Sequence, residues 1–217
     1  MPVLEPIHMF GTRDLSLFVA TGLLLNIMPG ADTMYILGRS GVQGFRGGLL
    51  AALGVGAGCL VHITAAVLGI SALLAASAGA FAAIKMIGAV YLFYLGISLL
   101  RKSAMPHLPA ADLPKTAAMR IFWQGFLTNA LNPKVALFFL ALLPQFISAE
   151  ATNKPLAMLF LGVLFDFNGT LWNILVAFTA SSLAKQFKHA GAISTWLNRT
   201  VGALFIYFGV RLAASRN

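Results

Sequence analysis

The residues from 47 to 84 include no Asp, Glu, Lys or Arg. An α-helix needs about 20 consecutive apolar residues to cross the hydrocarbon core of a bilayer, and this uncharged run is well beyond that length. The whole chain agrees with it, since 59% of its 217 residues are hydrophobic, 10% are charged and the mean hydropathy is +0.86. These values predict an integral membrane protein.

Six apolar segments are long enough to cross the membrane as helices. They cover about residues 15–37, 48–74, 81–100, 121–147, 156–183 and 196–214. Continuous apolar runs lack the alternation of barrel strands, and helices are the other structure that satisfies every backbone group in lipid. The expected fold class is therefore an all-α integral membrane protein with six transmembrane helices.

The basic residues indicate how the helices are oriented. The net charge of +9 is spread over single residues and pairs between apolar runs, which argues against nucleic-acid binding. The loops after spans one, three and five hold most of them: Arg39, Arg46, Arg101, Lys102, Lys115, Arg120, Lys185, Lys188 and Arg199. The opposite side holds fewer: Arg13, Lys85, Lys154, Arg211 and Arg216. The positive-inside rule then places both termini outside the cytoplasm.

The chain also has a weak internal repeat. A polar cytoplasmic linker, residues 105–119, separates a first unit of three spans (1–104) from a second (120–217). Spans one and four each carry a glycine, then an asparagine, then a proline: Gly22, Asn26 and Pro29 in one, Gly125, Asn129 and Pro133 in the other. Because each unit has an odd number of spans, the second enters the membrane inverted. Inverted repeats of this kind are typical of transporters.

The two prolines predict broken helices. Each removes a helical hydrogen bond and frees the carbonyl four residues earlier, that of Leu25 or Asn129. Gly30 loosens the backbone after Pro29, and the Asn132 side chain can bind backbone groups freed beside Pro133. The alternative is a pair of simple kinks without a functional role.

Each break carries a charge inside the membrane, where charges are costly and usually functional. Asp32 lies in the first turn after one break, where the helix dipole favours an anion. Lys134 lies in the first turn after the other, where a cation needs an anionic partner. That partner is either Asp32, in an ion pair, or the carboxylate of a bound solute. A zwitterionic amino acid would satisfy both residues, which favours neutral amino acids as substrates.

The middle spans add polar residues to this picture. In span five, Gly162, Asp166, Thr170 and Asn173 form one stripe, with Asp166 as a third charge inside the membrane. In span two, Gly54, Gly58, His62 and Ala66 form another, whose glycines indicate close helix packing. His62 is either a packed, hydrogen-bonded histidine or a proton relay. The single cysteine, Cys59, excludes a disulfide within the chain.

The sequence resembles the lysine and homoserine/threonine exporter family of bacteria over nearly its whole length. The resemblance is carried by Pro-Gly-Ala-Asp at 29–32, Arg-Ser at 39–40, the segment from Gly125 through Asn-Pro-Lys at 132–134 to Leu-Pro-Gln-Phe at 143–146, and Tyr-Leu-Phe-Tyr-Leu-Gly at 91–96. The family commonly has proline where this chain has Ala31. The resemblance implies an exporter in the bacterial inner membrane that expels amino acids or close derivatives in exchange for protons, without a cofactor.

Two other functions compete with export. A passive channel for small polar solutes differs from an exporter by the absence of energy coupling. An intramembrane protease would use Ser40 with His62. The neighbouring Arg39 indicates that this serine lies in the predicted charged loop after span one, which argues against a buried catalytic pair. Faces of small residues are compatible with a homodimer.

Overall fold

The computed structural model describes residues 10–76, 115–148 and 150–183, with single helical positions from 86 to 101 and from 203 to 210. Its elements are α1 (Leu15–Ile27), α2 (Ala31–Ala76), α3 (Ala118–Ala130), α4 (Pro133–Leu137) and α5 (Lys154–Leu183). A π-helix (Phe138–Leu142) and a 3₁₀-helix (Leu143–Phe146) continue α4. The described part of the chain is thus helical, apart from turns and one isolated β-bridge. Apart from those single positions, spans three and six lie outside the described residues, as do most of the linker 105–119 and both chain ends. The full six-helix repeat therefore stays a prediction.

Both predicted helix breaks are confirmed. Helix α1 ends at Ile27 and α2 begins at Ala31, with an extended backbone at Met28 (φ −65°, ψ 118°). Helix α3 ends at Ala130 and α4 begins at Pro133, and the two halves of this span meet at a bend of 43°. The Asn132 side chain accepts a hydrogen bond of 3.0 Å from the Lys134 backbone N–H, as an N-cap should. Asp32 and Lys134 therefore lie in the first turns of the two new helices.

The expected loop after span one is wrong. Residues 38–47 are part of α2, which is interrupted only by a kink at Gly44 (φ 66°, ψ −165°). Arg39 and Ser40 are helical and buried, with 6% and 2% of their surfaces exposed. Arginine tolerates this position because its guanidinium is hydrogen-bonded to α3 and the residues before it. We call residues 31–43, between the break and the kink, the first arm of α2.

The part of α2 after Gly44 packs tightly against α3 through glycines. A Cβ added at Gly54 would collide with the Phe122 carbonyl, and one at Gly58 with the Phe126 carbonyl. On the facing helix, a Cβ at Gly125 would lie 2.6 Å from the Ala51 carbonyl oxygen. The packing interpretation of the span-two glycines is confirmed, because only hydrogen at these positions lets the two backbones approach so closely.

The two ends of the bundle have different charges. At one end, the segment before α1 pairs with the segment after the 3₁₀-helix: Arg13 N–H donates to the Phe146 carbonyl at 2.8 Å. Among the described residues, this mixed end carries two basic and two acidic side chains: Arg13, Asp14, Glu150 and Lys154. At the other end, Gln43 binds Thr116 and the rings of Phe45 and Phe178 lie 6.0 Å apart. Its exposed charges in the described part of the chain are all basic: Arg46, Lys115 and Arg120.

Two apolar clusters fill the interior. The cluster toward the mixed end is large and aromatic, and its ring contacts join Phe18, Phe138, Phe146 and Phe165. The cluster toward this basic end is small: Ile36, Ala51, Ala52, Val55, Ile121 and Ala177. By length and composition, Ala31–Gly69 and Lys154–Ser182 can each cross a membrane, and the bent pair formed by α3 and the segment Pro133–Phe146 can act as a third span.

Candidate functional site

A small polar cavity lies between the two helix breaks. It has a volume of about 30 Å³, which holds one or two water molecules. Asp32 and Thr33 line it from the first arm of α2, Asn129 and Lys134 from the second break, and Asp166 and Thr170 from α5. Leu25, Val55, Val135 and Phe165 give it an apolar side. The cavity thus collects most of the polar residues singled out in the sequence.

Asp32 is held by side chains from the opposite break. Its Oδ2 accepts hydrogen bonds from Asn129 Nδ2 and Asn132 Nδ2, both at 2.9 Å. Its Oδ1 is buried and has no hydrogen-bond partner within the described residues. One carboxylate oxygen is therefore fixed by two amides, and the other is available to a ligand or a proton.

Lys134 binds backbone rather than an anion. Its Nζ donates to the Leu25 carbonyl at 3.1 Å and to the Met28 carbonyl at 3.2 Å, at the open C-terminal end of α1. Between Asp32 and Lys134, both of which the structure describes, there is no ion pair. The sequence analysis considered Asp32 and a substrate carboxylate as partners for this lysine. It did not consider the carbonyl groups at the C-terminal end of a broken helix, which carry partial negative charge.

His62 plays the matching role at the second break. Its Nε2 lies 2.8 Å from the Asn129 carbonyl oxygen, so it must be the N–H donor. The ring is 7% exposed and stacks on Phe139 with centroids 6.1 Å apart. The interpretation of His62 as a packed, hydrogen-bonded histidine is confirmed, and a proton relay stays a prediction. Each carbonyl freed by a proline thus receives a side chain from the opposite unit.

The polar stripe of α5 faces the same cavity. Asp166, Thr170 and Asn173 all line it, and the Thr170 hydroxyl lies 3.5 Å from Asp166 Oδ1. The fourth member of the stripe, Gly162, instead packs against Ile63, to whose side chain an added Cβ would come within 3.0 Å. Three of the four stripe residues are therefore cavity residues.

Asn26 and Cys59 are among the cavity residues that the sequence analysis did not select as site residues. Asn26 lines the cavity, and its Nδ2 is buried without a hydrogen-bond partner in the described part of the structure, as is Asn129 Oδ1. The repeat contained the signal for Asn26, because it corresponds to Asn129 in the other unit. Cys59 lies beside Asp166, and nothing in the sequence marked it, since a lone cysteine in an apolar run is usually a packing residue.

The arrangement offers no hydrolytic site at the residues considered for one. The Ser40 hydroxyl donates to the Ile36 carbonyl of its own helix at 2.7 Å, while His62 is engaged with Asn129. The described residues also include no group of three or more His, Cys, Asp or Glu that could hold a metal ion. What the cavity does offer is an oxygen of Asp32, an amide oxygen of Asn129 and an amide nitrogen of Asn26, none of which has a hydrogen-bond partner among the described residues, together with the Lys134 ammonium.

Comparison with known proteins decides the family. The model of the family described as "LysE type translocator" matches residues 23–216. The chain belongs to this family. As a LysE type translocator it is a transporter and not an enzyme, and the resemblance seen in the sequence is confirmed.

Its relatives are membrane proteins of bacteria. An uncharacterised membrane protein of Pseudomonas aeruginosa is 32% identical over 209 residues, which cover 94% of this chain and 97% of that protein. Leucine efflux proteins of an Enterobacter species and of Salmonella choleraesuis are 26% and 24% identical; each alignment covers 94% of this chain, and 97% and 96% of the respective relative. No solved structure matches this LysE type translocator.

Proposed function

We propose that this translocator exports neutral amino acids or close derivatives from the cytoplasm by proton antiport. The observation that carries the proposal is Asp32, which lines a cavity between two broken helices. Its Oδ2 is fixed by two asparagines, while its Oδ1 has no hydrogen-bond partner among the described residues. Membership of the translocator family and the relatives named leucine efflux proteins support it.

The cavity has complementary groups for both ends of an amino acid. Asp32 Oδ1 and Asn129 Oδ1 are unpaired acceptors for an ammonium group. Asn26 Nδ2 is an unpaired donor for a carboxylate, and the Lys134 ammonium supplies positive charge nearby. Leu25, Val55, Val135 and Phe165 would contact an aliphatic side chain. A neutral amino acid with an apolar side chain satisfies all of these groups.

Proton coupling follows from competition for one oxygen. A proton and a substrate ammonium cannot both occupy Asp32 Oδ1, so each leaves when the other binds, which is the requirement for antiport. Asp166 and His62 are further groups through which a proton could reach this position. Lys134 keeps the positive charge at the break that the carboxylate of the substrate needs.

The cavity is too small for an amino acid in this structure. Its volume of about 30 Å³ is far below the several hundred Å³ of ordinary ligand sites, and apolar clusters lie on both sides of it. Substrate entry therefore requires a conformational change, as expected for alternating access between the two sides of the membrane. A passive channel would instead need a continuous polar path.

The charges of the two ends set the direction of export. Exposed basic residues dominate the end that carries Arg46, Lys115 and Arg120, and the positive-inside rule assigns this end to the cytoplasm. The segment before α1 lies at the opposite end, so the proposal has the N-terminal side of the chain outside the cytoplasm. The bacterial inner membrane is the location that fits these assignments, and a homodimer stays a prediction.

The proposal is tested by transport in purified proteoliposomes loaded with single amino acids. With an imposed proton gradient, we expect neutral aliphatic amino acids such as leucine to be moved against their own concentration gradient, and lysine or glutamate to be moved much less. Movement that only equilibrates the substrate would identify a channel. Uphill movement without any dependence on the proton gradient would reject antiport while retaining export.

A further inference from the structure

A second polar cluster lies outside the cavity, toward the basic end. Its centre is Arg39, a charged residue with 6% of its surface exposed. Arg39 Nη1 donates to Thr116 Oγ1 and Nη2 donates to Gln124 Oε1, each at 2.9 Å. The guanidinium carbon also lies 5.6 Å from the centre of the Tyr35 ring. The amino-acid site described above uses none of these residues.

The remaining bonds of this cluster join the same two segments. The Tyr35 hydroxyl lies 2.8 Å from the Ile121 carbonyl oxygen and 3.2 Å from Gln124 Oε1. Gln43 binds the Thr116 backbone twice, donating to its carbonyl at 2.8 Å and accepting from its N–H at 3.0 Å. Every one of these bonds connects the first arm of α2 to the beginning of α3 or the residues just before it. We call this set of contacts the arm latch.

The first arm is bounded by two interruptions of the helix. At one end is the break from Met28 to Gly30, and at the other is Gly44, whose φ of 66° is outside the helical range. Hinges of moving elements are short positions of this kind, where a few residues absorb a change in φ and ψ. The arm carries Asp32 in its first turn and Arg39 two turns later, so a movement of the arm displaces both residues together.

The arm also lies on the side where the apolar cover of the cavity is thinner. Toward the mixed end, the cavity is covered by the large aromatic cluster, including Phe138 stacked on Phe165 at 4.4 Å. Toward the basic end, the apolar cover is the small cluster of Ile36, Val55, Ile121 and three alanines. Ile36 belongs to the arm itself. Displacing the arm would thus remove part of the cover and open the cavity at this end.

A buried arginine stabilises permanent packing poorly. Burying its charge is costly, and apolar residues of similar volume often give equal or higher stability. Hydrogen bonds of this cluster can, however, be exchanged for water when the arm moves away, so the same contacts hold one state without preventing another. The chemistry of the latch therefore suits a contact that forms and breaks.

We propose that the first arm of α2 is the gate of the cavity at the basic end, and that the arm latch, with Arg39 at its centre, holds this gate shut. Breaking the latch lets the arm swing about Met28–Gly30 and Gly44. Because Asp32 travels with the arm, opening the gate and reshaping the substrate site are one movement. The inference requires that the protein is a transporter but does not depend on which substrate it carries.

The native chain contains its own reporter for this movement. Cys59 is the only cysteine, it is 3% exposed, and it lines the cavity. The experiment measures the rate at which a membrane-impermeant maleimide modifies Cys59 in oriented membrane vesicles, with the reagent on the side of the basic end. That side is identified beforehand with Arg46→Cys in a Cys59→Ala background. No substrate is needed, so the result is separate from the amino-acid proposal.

We expect Arg39→Ala to raise the modification rate of Cys59 by at least about tenfold, the change in an equilibrium that loss of a hydrogen bond to a charged group produces. Arg46→Ala removes an exposed arginine from the same end and should leave the rate unchanged. Gln124→Leu, which removes the acceptor of Arg39 Nη2, should also accelerate it. Tyr35→Phe leaves no unpaired charge and should raise the modification rate of Cys59 to a smaller extent. This variant replaces the others as the test if they fail to accumulate in the membrane.

Two results would overturn the gate. One is an unchanged Cys59 rate in every latch variant that accumulates in the membrane. The other is an increase seen equally with the reagent on the mixed-end side, which would indicate general loosening of the bundle and not opening at the arm. Increased modification confined to the basic end, with Arg46→Ala at the native rate, supports the proposal.

Discussion

Asp32 can exchange ligands because its two oxygens have different surroundings. Oδ2 accepts from Asn129 and Asn132, which fixes the carboxylate across the two breaks, while Oδ1 has no partner among the described residues. Asparagine at this position would keep an oxygen for both amide donors but would lose the negative charge. Structure and function of this residue can therefore be separated by one isosteric change.

We expect Asp32→Asn to lower proton-driven export to the level of empty liposomes while the protein still inserts into the membrane. Loss of the charge removes both the ammonium partner and the proton acceptor, and the retained oxygen preserves the bonds to the asparagines. Uphill transport in proteoliposomes measures the first effect, and the amount of protein in the membrane fraction measures the second. Asp14→Asn changes an exposed aspartate and is the control. Native uphill export by Asp32→Asn would contradict the proposed role.

The sequence identified the carbonyls of Leu25 and Asn129 as the groups that lose their helical partners, because a proline acts on a fixed position of its own chain. It did not identify which side chains bind them. Lys134 and His62 come from the opposite unit, more than 60 residues away in sequence, and their reach depends on how the helices pack. Local consequences of proline were predictable, whereas contacts across the bundle were not.

At the scale of helices, the two breaks could be predicted from the sequence, whereas the kink could not. Proline marks both breaks directly, but the kink of α2 falls at one of several nearby glycines. Gly47 and Gly48 are both packed closely against neighbours, whereas no other atom lies within 4 Å of a Cβ added at Gly44. Because the packing of the first arm against the rest of α2 and against α5 selects among these glycines, the sequence offered no basis for placing the kink or for recognising the first arm.

The close approach of α2 and α3 gives a prediction for Gly58. A Cβ there would collide with the Phe126 carbonyl and lie 3.0 Å from the Ala130 backbone nitrogen, so Gly58→Leu must push α3 away. Overpacking of this kind costs about 1–3 kcal/mol, which lowers the unfolding midpoint of a protein of this size by at least about 2 °C. Transport should fall too, because α3 carries Asn129.

The measurement uses the buried Cys59, whose reaction with a thiol-reactive dye during heating in detergent reports unfolding. Gly69→Leu is the matched control. It makes the same change in the same helix, where an added Cβ meets nothing within 4 Å. The gain in helix propensity is equal for both variants, so the difference between their midpoints isolates the collision. Equal midpoints would show that the α2–α3 contact yields without cost.

At the scale of the whole molecule, one residue must be removed from the predicted distribution of basic loop residues. Arg39 is not a loop residue, because it is buried and hydrogen-bonded within the bundle. Arg46, Lys115 and Arg120 still mark the basic end. At the mixed end, a hydrogen bond from the Ser148 hydroxyl lowers the pKa of the exposed Glu150 carboxyl, which favours its charged form. Without Arg39, eight basic residues on the predicted cytoplasmic side stand against five on the other, so the direction of the imbalance is unchanged.

This imbalance predicts the orientation of the protein in the membrane. In a Cys59→Ala background, we expect cysteines at positions 46 and 115 to react with an impermeant maleimide only in inside-out vesicles, and cysteines at positions 14 and 150 only in intact cells. The α3–α4 span connects position 115 to position 150, and α1 with the first arm connects position 14 to position 46, so we expect the two sets on opposite sides of the bilayer. The positive-inside rule decides which set is cytoplasmic. Reaction of all four positions from one side would contradict the fold, whereas the reverse assignment would leave the fold intact and turn the proposed gate toward the outside.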